Sequence, residues 1–527
     1  MINKALIIRF SSLGDIILTS SLALNYKINH PDSKIYFLTK EKFKKTVSLI
    51  DAVDEIVTIP DDCSFVNLCK IGMELDKINF NTVIDLHGNF RSLTIRKILT
   101  ADHKVVYPKR RYERITAVKK KIIPESYPHT IDLYNQTLID LEMNSYSKRP
   151  NLVSTNNISD TEKSFLSKHP HTVLFAPGAS YATKQYDIQK FAQAAETLQR
   201  EYNAGIIWAV TNESEIVSEL SQIPESSLMK YVNLPITELT SLIAKTDLVI
   251  ANDSGIGHLA SSVNTPVVSL FGPTHPVLGF SPKGQFDQVL DVKEYCRPCS
   301  LHGGKACFRE EQFCFTKISP EQIVNLASYK LEHQNCRNKA VFVDRDGTII
   351  VDKHFLSDPN EIEFIEGSVD ALKRLSESGY KIVVVSNQSG VARGKFPIET
   401  VEKVNQEFSE KLSARGVDLD AIYYCPHHPH GSVNQYTIKC GCRKPSPLMV
   451  EDAIEQLLIN PIESFVIGDK LDDINLGKVV GAKPILVRTG YGRGFQEKID
   501  SSRFYHDVKI VDNLAAAAEF IGDHHLD

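Results

Sequence analysis

Short apolar runs, each ending in polar or glycine-containing turns, recur along the whole chain. Residues 5–10 (ALIIRF), 34–39 (KIYFLT), 54–60 (DEIVTIP) and 81–88 (NTVIDLHG) form one series. Residues 172–177 (TVLFAP), 205–210 (GIIWAV), 247–253 (DLVIAND) and 265–272 (TPVVSLFG) form a second. Residues 341–343, 381–390 (KIVVVSNQSG) and 464–473 (SFVIGDKLDD) form a third. Runs this short and this uniformly apolar predict strands buried on both faces, as in parallel sheets. Between them lie helical patterns such as 188–202 (IQKFAQAAETLQREY), with apolar residues at helical spacing. The fold class expected is α/β, with two consecutive Rossmann-like halves facing a cleft and a third, C-terminal Rossmann-like domain.

At 527 residues the chain is too long for one core, and about three domains are expected. Polar stretches near Asn151–Thr161 and Leu331–Asn338 mark the boundaries, giving domains 1–155, 156–335 and 338–527. No run of eighteen or more apolar residues occurs, so a transmembrane helix is not expected. The first residues read directly as a strand rather than a signal peptide, and ten Cys without such a signal point to the reducing cytoplasm and to metal ligation rather than disulfides. The net charge of −5 and the absence of nucleic-acid motifs give no reason to expect a nucleic-acid partner.

The most informative stretch is AVFVDRDGTII, 340–350. An apolar strand ends in Asp344, Arg345, Asp346, Gly347 and Thr348, placing two carboxylates at the strand end where open α/β sheets bind ligands. A second strand ends in Ser386 and Asn387; Arg443 and Lys444 follow; a third strand ends in Asp469 and Lys470. This order of Asp, Ser, Lys and Asp resembles the haloacid dehalogenase (HAD) superfamily of phosphatases. The resemblance implies Asp344 as nucleophile, forming an aspartyl-phosphate, and Asp346 as acid and base. It implies Mg²⁺ held by Asp344, the Asp346 carbonyl and Asp469. Ser386, Asn387, Lys444, Arg443 and Lys470 would bind phosphate and substrate, and Asp473 would support the loop.

A second cluster, Cys425, His427, Cys440 and Cys442, has the spacing C-x-H, a loop of twelve, C-x-C. Two chelating pairs joined by a loop suit structural Zn²⁺, with His428 and His430 as lesser rivals for His427. Cys442 directly precedes Arg443 and Lys444, so a closed metal site would fix the phosphate-binding cations. With this loop, residues from Lys339 to about Lys498 resemble the D-glycero-D-manno-heptose-1,7-bisphosphate 7-phosphatases, which implies a sugar bisphosphate substrate. Histidinol-phosphate phosphatases share the zinc loop and are the alternative.

The rest of the chain carries four other landmarks: RFSSLGDIILTSSLAL, VIDLHGNFRS, APGASYATKQYDIQKFAQAA and ANDSGIGHLASSVNTPVVSLFGPTHP. Together they resemble the family 9 heptosyltransferases of lipopolysaccharide synthesis, which have the GT-B fold. Gly14 and Asp15 form a strand-to-helix turn, and the resemblance implies Asp15 as general base, against the simpler reading of a helix cap. Asp253, Ser254, Gly255 and His258 form a second such turn, suited to a diphosphate. Lys184 would neutralise the leaving diphosphate, and Glu213 would lie near the nucleoside, although the glycine-rich turn expected before it is missing. The implied donor is a nucleotide-heptose and the acceptor an anionic or lipid-linked glycan, with at most peripheral contact with the inner membrane. Arg91 and the basic run Lys109–Lys121 are the acceptor-side candidates, against a plain solvated face. Cys296, Cys299, Cys307 and Cys314 either wrap a second metal or stay as buried thiols; Cys63, Cys69 and Cys336 look incidental. The expected whole is one polypeptide with two activities in heptose metabolism, the alternative being a phosphatase attached to a non-catalytic binding module.

Overall fold

The computed structural model describes residues 3–154, 158–216, 218–333 and 338–523. Cys336 and parts of both expected boundaries lie outside them. The chain divides into two compact units, Met1–Asn335 and Cys336–Asp527.

The first unit holds two sheets. One contains β1 (Lys4–Ile8), β2 (Lys34–Lys40), β3 (Glu55–Ile59), β4 (Thr82–Asp85) and β5 (His103–Val106), in the spatial order β3-β2-β1-β4-β5. The other contains β6 (His171–Ala176), β7 (Ala204–Val210), β8 (Leu228–Val232), β9 (Leu248–Asn252), β10 (Val267–Phe271) and β11 (Gln288–Asp291), in the order β11-β10-β9-β6-β7-β8. Every pairing is parallel. The strand order reverses between β1 and β4 in one sheet, and between β6 and β9 in the other. Such reversals open a crevice at the C-terminal ends of the strands. Asp15 follows β1, Lys184 follows β6 and Asp253 follows β9, so all three candidates sit at these crevices.

Helix α1 (Leu13–Asn29) joins the two halves. It is buried without interruption from Ile16 to Ile28, and its polar Thr19, Ser20, Ser21, Asn25 and Lys27 all donate to backbone carbonyls. One apolar core runs from Ile7 and Ile84 of the first sheet through Leu22 and Tyr26 of α1 to Val249 of the second sheet. Helix α2 (Gly255–Ser262) packs on α1 at its N-terminal end. A Cβ on Gly14 would stand 2.5 Å from the His258 ring, and one on Gly255 would stand 2.7 Å from Leu13 Cδ2. These two glycines are therefore fixed by the close approach of the two turns.

The second unit is a parallel sheet of β12 (Lys339–Val343), β13 (Tyr380–Asn387), β14 (Ala421–Cys425), β15 (Phe465–Gly468), β16 (Lys483–Val487) and β17 (Lys509–Val511), in the order β14-β13-β12-β15-β16-β17. Its reversal lies between β12 and β15, the strands that end in Asp344 and Asp469. The expected α/β class and its parallel sheets are thus observed in both units. Among the described residues, no helix is long and apolar enough to cross a membrane.

Candidate active sites

In the second unit, β12 and β15 are neighbours in register, with Val343 opposite Ile467. Asp344 and Asp469 therefore emerge side by side. The Lys444 side chain is buried between them and α3 (Leu471–Val480): its Nζ lies 2.9 Å from Asp344 and 2.6 Å from Asp473. It also donates to the Val385 carbonyl at 2.7 Å, so all three ammonium protons have acceptors. Burial alone would lower the Lys444 pKa, but the two carboxylates outweigh it and raise it. Asn387 acts on the same residue. Its side chain accepts from Lys444 N (3.0 Å) and donates to Lys444 O (3.3 Å), clamping the Lys444 backbone rather than facing open solvent.

Asp346 faces the other wall. Arg345 holds it with a guanidinium fork at 3.0–3.2 Å, and Gln388 Nε2 donates to it at 2.9 Å. Gln388 also donates to Ser386 Oγ at 2.7 Å, which places Ser386 beside Asp346. Lys470 Nζ stands 3.9 Å from Asp344 and 3.4 Å from Asp469. Arg443 reaches back to the His427 carbonyl at 3.3 Å. These residues line a cavity of about 320 Å³, to which Asp352, His354 and Tyr491 also contribute.

The carboxylates fit a cation. Donor atoms of Asp344, Asp469 and Asp473 lie within 4.8 Å of one another, and all three residues are buried. Burial and the neighbouring Asp344 charge push Asp469 up to about 6, and its Oδ1 accepts no hydrogen bond. Gly347, at φ +86°, passes so close that a Cβ would strike the Asp469 carboxylate. A hard cation with oxygen ligands would relieve the repulsion. Asp473 also accepts from Lys470 N at 3.0 Å, consistent with the loop-supporting part expected of it.

Cys425, His427, Cys440 and Cys442 converge as the spacing suggests. Their sulfur atoms are 3.2–3.5 Å apart, and His427 Nδ1 lies 3.4 Å from Cys442 and 3.7 Å from Cys425. Tetrahedral Zn²⁺ with Zn–S bonds of about 2.3 Å sets donor atoms about 3.7 Å apart, so the cluster is near the size of a zinc site. Thiol contacts from Cys425, ahead of the opposing effect of burial, pull Cys442 down to about 5. His428 turns to Arg393 instead, at 3.0 Å.

In the first unit, Asp15 is tightly held. Arg9 Nη2 lies 2.7 Å from it, Ser12 donates through N (3.1 Å) and Oγ (2.8 Å), and the Tyr134 hydroxyl is 3.4 Å away. Burial favours the neutral acid, but Arg9 and Ser12 together outweigh it and lower the Asp15 pKa. Ser12, not Asp15, is the N-cap of α1; Asp15 is the third helical residue and accepts from the Ser12 N–H, as in a capping box. Arg9 itself is anchored to the Leu86 carbonyl at 2.6 Å.

Opposite stands the second turn. Lys184 Nζ pairs with Asp253 at 2.8 Å, and Thr274 donates to the same carboxylate at 2.6 Å. Ser254 Oγ and His258 Nδ1 are buried without hydrogen-bond partners at the start of α2. Burial lowers the His258 pKa, so its ring is neutral. Glu213 lies exposed on a short 3₁₀ turn; two residues on, Glu215 faces the β6 loop instead. Glu215 Oε1 accepts from Thr211 at 2.7 Å, and Oε2 is buried without a partner near Gly178. At three residues per turn, positions two apart point to different sides.

Arg91 is partly exposed near the start of the helix Phe90–Ile98. Most basic residues of the run are exposed, with Arg114 the buried exception. Arg114 is buried against Phe280 (4.5 Å to the ring centroid) and Lys121 donates to the Pro298 carbonyl at 2.8 Å, so both tie the run to the second half. The second cysteine set does not converge: no three of the sulfurs of Cys296, Cys299, Cys307 and Cys314 come within 4.8 Å of one another. They line a small cavity of about 150 Å³, spread over a turn, a loop and a short helix. Sequence reasoning missed Arg9, Gln388, Glu215, His354 and Tyr491. Arg9 and Gln388 lie within the stretches RFSSLGDIILTSSLAL and KIVVVSNQSG, but beside rather than at the residues singled out there, and the other three stand in neither.

The sequence model of glycosyltransferase family 9 (heptosyltransferase) matches residues 68–305, and one described as HAD-hydrolase-like matches residues 441–517. The D-glycero-β-D-manno-heptose-1,7-bisphosphate 7-phosphatase of Salmonella typhi is 47% identical over 153 residues, which are 29% of this chain and 81% of that protein. Among solved structures, the ADP-heptose lipopolysaccharide heptosyltransferase II of Escherichia coli covers 62% of this chain and 98% of its own at 19% identity, with a TM-score of 0.47. The D,D-heptose 1,7-bisphosphate phosphatase of B. bronchiseptica, complexed with magnesium and phosphate, covers 35% of this chain and 99% of its own at 31% identity, with a TM-score of 0.32. Through its second unit the chain belongs to the D-glycero-β-D-manno-heptose-1,7-bisphosphate 7-phosphatase family, joined in one polypeptide to a glycosyltransferase family 9 domain.

Proposed function

We propose that the chain is a bifunctional enzyme of bacterial heptose and lipopolysaccharide synthesis. The second unit hydrolyses the 7-phosphate of D-glycero-D-manno-heptose 1,7-bisphosphate. The observation that carries this is the meeting of Asp344, Asp469 and Lys444 at the β12/β15 crevice, in a unit with such relatives. An Asp344 oxygen attacks phosphorus, the bond from phosphorus to the sugar oxygen breaks, and an aspartyl-phosphate remains. Asp346 gives a proton to the departing oxygen. It then takes one from the water that attacks the phosphoryl group, while the Arg345 fork holds the carboxylate in position. Lys444 and Ser386 offset charge on the phosphoryl oxygens. Mg²⁺ bound by Asp344, the Asp346 carbonyl and Asp469 would supply further charge neutralisation. Zn²⁺ on Cys425, His427, Cys440 and Cys442 would hold Arg443 and Lys444 in place.

The first unit transfers heptose from a nucleotide-heptose to an anionic glycan. Asp15, kept ionised by Arg9, accepts the proton of the acceptor hydroxyl. Lys184, Ser254, His258 and the N-terminus of α2 receive the diphosphate. Arg91 and the exposed part of the 109–121 run face an acidic acceptor, and Glu215 rather than Glu213 lies near the nucleoside. Activities of this kind act on cytoplasmic intermediates, with at most peripheral membrane contact.

The phosphatase reading is tested with Asp344→Asn. Phosphate release from heptose 1,7-bisphosphate should vanish while nucleotide-sugar binding by the first unit stays intact. Turnover like that of the wild type would overturn the assignment. Faster release from histidinol phosphate in the wild type would favour the alternative phosphatase.

A further inference from the structure

Two side chains that carry none of the chemistry above meet at the mouth of the phosphatase cavity. His354 lies ten residues after Asp344 in the chain, and Tyr491 lies in the turn after β16. Both line the cavity, and the Tyr491 hydroxyl is hydrogen-bonded to His354 Nδ1 at 3.0 Å. Each is held from behind. His354 has φ +60°, a left-handed conformation that residues with a Cβ seldom adopt, and Asp352 stabilises it by accepting from His354 N at 2.6 Å. Tyr491 N donates to Asp469 Oδ2 at 2.8 Å, and Lys470 Nζ lies 5.1 Å from the centroid of the Tyr491 ring. The pair is therefore anchored to the residues that surround Asp344, yet Tyr491 remains 43% exposed.

The phosphoryl group seats on the cavity floor, at Asp344, Ser386 and Lys444. The alcohol it leaves must extend towards the mouth, where this pair stands. We propose that His354 and Tyr491 form a clasp that determines specificity, gripping the polyhydroxylated carbon chain beyond the scissile phosphate. The tyrosine offers a ring face and a hydroxyl, and the imidazole offers a second hydrogen-bonding edge. Neither touches the reacting atoms, so they select the substrate rather than act in the chemistry. The inference rests on the reading of this unit as a sugar-phosphate phosphatase.

The test measures kcat/KM for heptose 1,7-bisphosphate and for p-nitrophenyl phosphate in the full chain, its His354→Ala and Tyr491→Phe variants, and the double variant. The ratio of the two kcat/KM values should fall about tenfold in each single variant, carried mainly by KM for the sugar. The double variant should be no worse than either single one, because loss of either partner opens the clasp. An unchanged ratio, an equal loss on both substrates, or fully additive losses would each overturn the proposal. If the wild type hydrolyses p-nitrophenyl phosphate but not the heptose bisphosphate, the functional reading fails instead. The same ratio taken with fructose 1,6-bisphosphate then decides the clasp separately.

Discussion

Replacing Lys444 with Met should cost the second unit about as much as truncating a large apolar side chain in its core. The Lys444 ammonium, 2% exposed, lies between the Asp344 and Asp473 carboxylates at 2.9 and 2.6 Å. Methionine fills a similar volume but leaves two buried acids without their cation. Removing one partner of a buried pair costs roughly 3–5 kcal/mol, and here one cation serves two acids, so about 4 kcal/mol is expected at pH 8. The loss should depend on pH. Already in the wild type, burial and Asp344 push Asp473 up to about 7 against the pull of Lys444, and burial pushes Asp469 up to about 6. A carboxyl whose folded pKa lies above its unfolded value destabilises the fold as pH rises from the unfolded pKa to the folded one. The variant can take up a proton in the cluster at low pH, and each unit of pH is worth about 1.4 kcal/mol per proton. The deficit should therefore shrink to about 1–2 kcal/mol at pH 5.5. Hydrogen exchange of peptides from β12 and β13 reads the local opening free energy of this unit without interference from the other. A variant whose β12 protection stays within about 1 kcal/mol of wild type at pH 8 would refute the reasoning, as would a deficit that does not vary with pH.

Elemental analysis should find about one zinc per chain at Cys425, His427, Cys440 and Cys442, and Cys440→Ser should lower both metal content and phosphatase rate, because Cys442 leads directly into Arg443 and Lys444. Metal-free protein with full activity would remove that link. Asp15→Ala should slow heptose transfer about 10²–10⁴-fold with nucleotide affinity unchanged in calorimetry, whereas Lys184→Ala should weaken nucleotide binding itself. Burial, with Arg9 nearby, pushes His87 down to about 3, and burial does the same to His129. The unfolded chain then binds more protons than the folded one between pH 3 and the usual histidine pKa. First-unit stability should fall as pH drops from about 6.5, by up to about 2 kcal/mol per histidine at pH 5. Denaturant titrations followed at Trp208 should show the trend, and His129→Gln should flatten it.

Strands buried on both faces and the strand-end acids could be read without a structure. Val341, Phe342, Val343 and Asp344, or Val249, Ile250, Ala251, Asn252 and Asp253, announce themselves because a central parallel strand must be apolar throughout and its ligand-binding residue comes next. The zinc set was legible for a similar reason: short chelate spacings leave a mark in the chain. The edge strands β5, β8 and β11 were not, since one flank meets solvent and residues such as His103, Lys104 and Lys230 blur the pattern.

What only the tertiary structure decided are partnerships across distance. Local order placed Asp15 after β1, but it could not show that Arg9 would hold that carboxylate ionised or that His258 would stack on Gly14. It offered Glu213, and could not show that Glu213 lies exposed while Glu215 turns towards Thr211 and Gly178. It left Cys296, Cys299, Cys307 and Cys314 open between a metal and buried thiols, and could not show that no three of their sulfurs come within 4.8 Å of one another. It gave no hint of His354 and Tyr491, which lie 137 positions apart and meet only because β12 and β16 flank β15 in one sheet. Strand identity depends on the residues of the strand itself, whereas the pairing of side chains depends on which strands become neighbours, and the apolar core decides that for the whole unit at once.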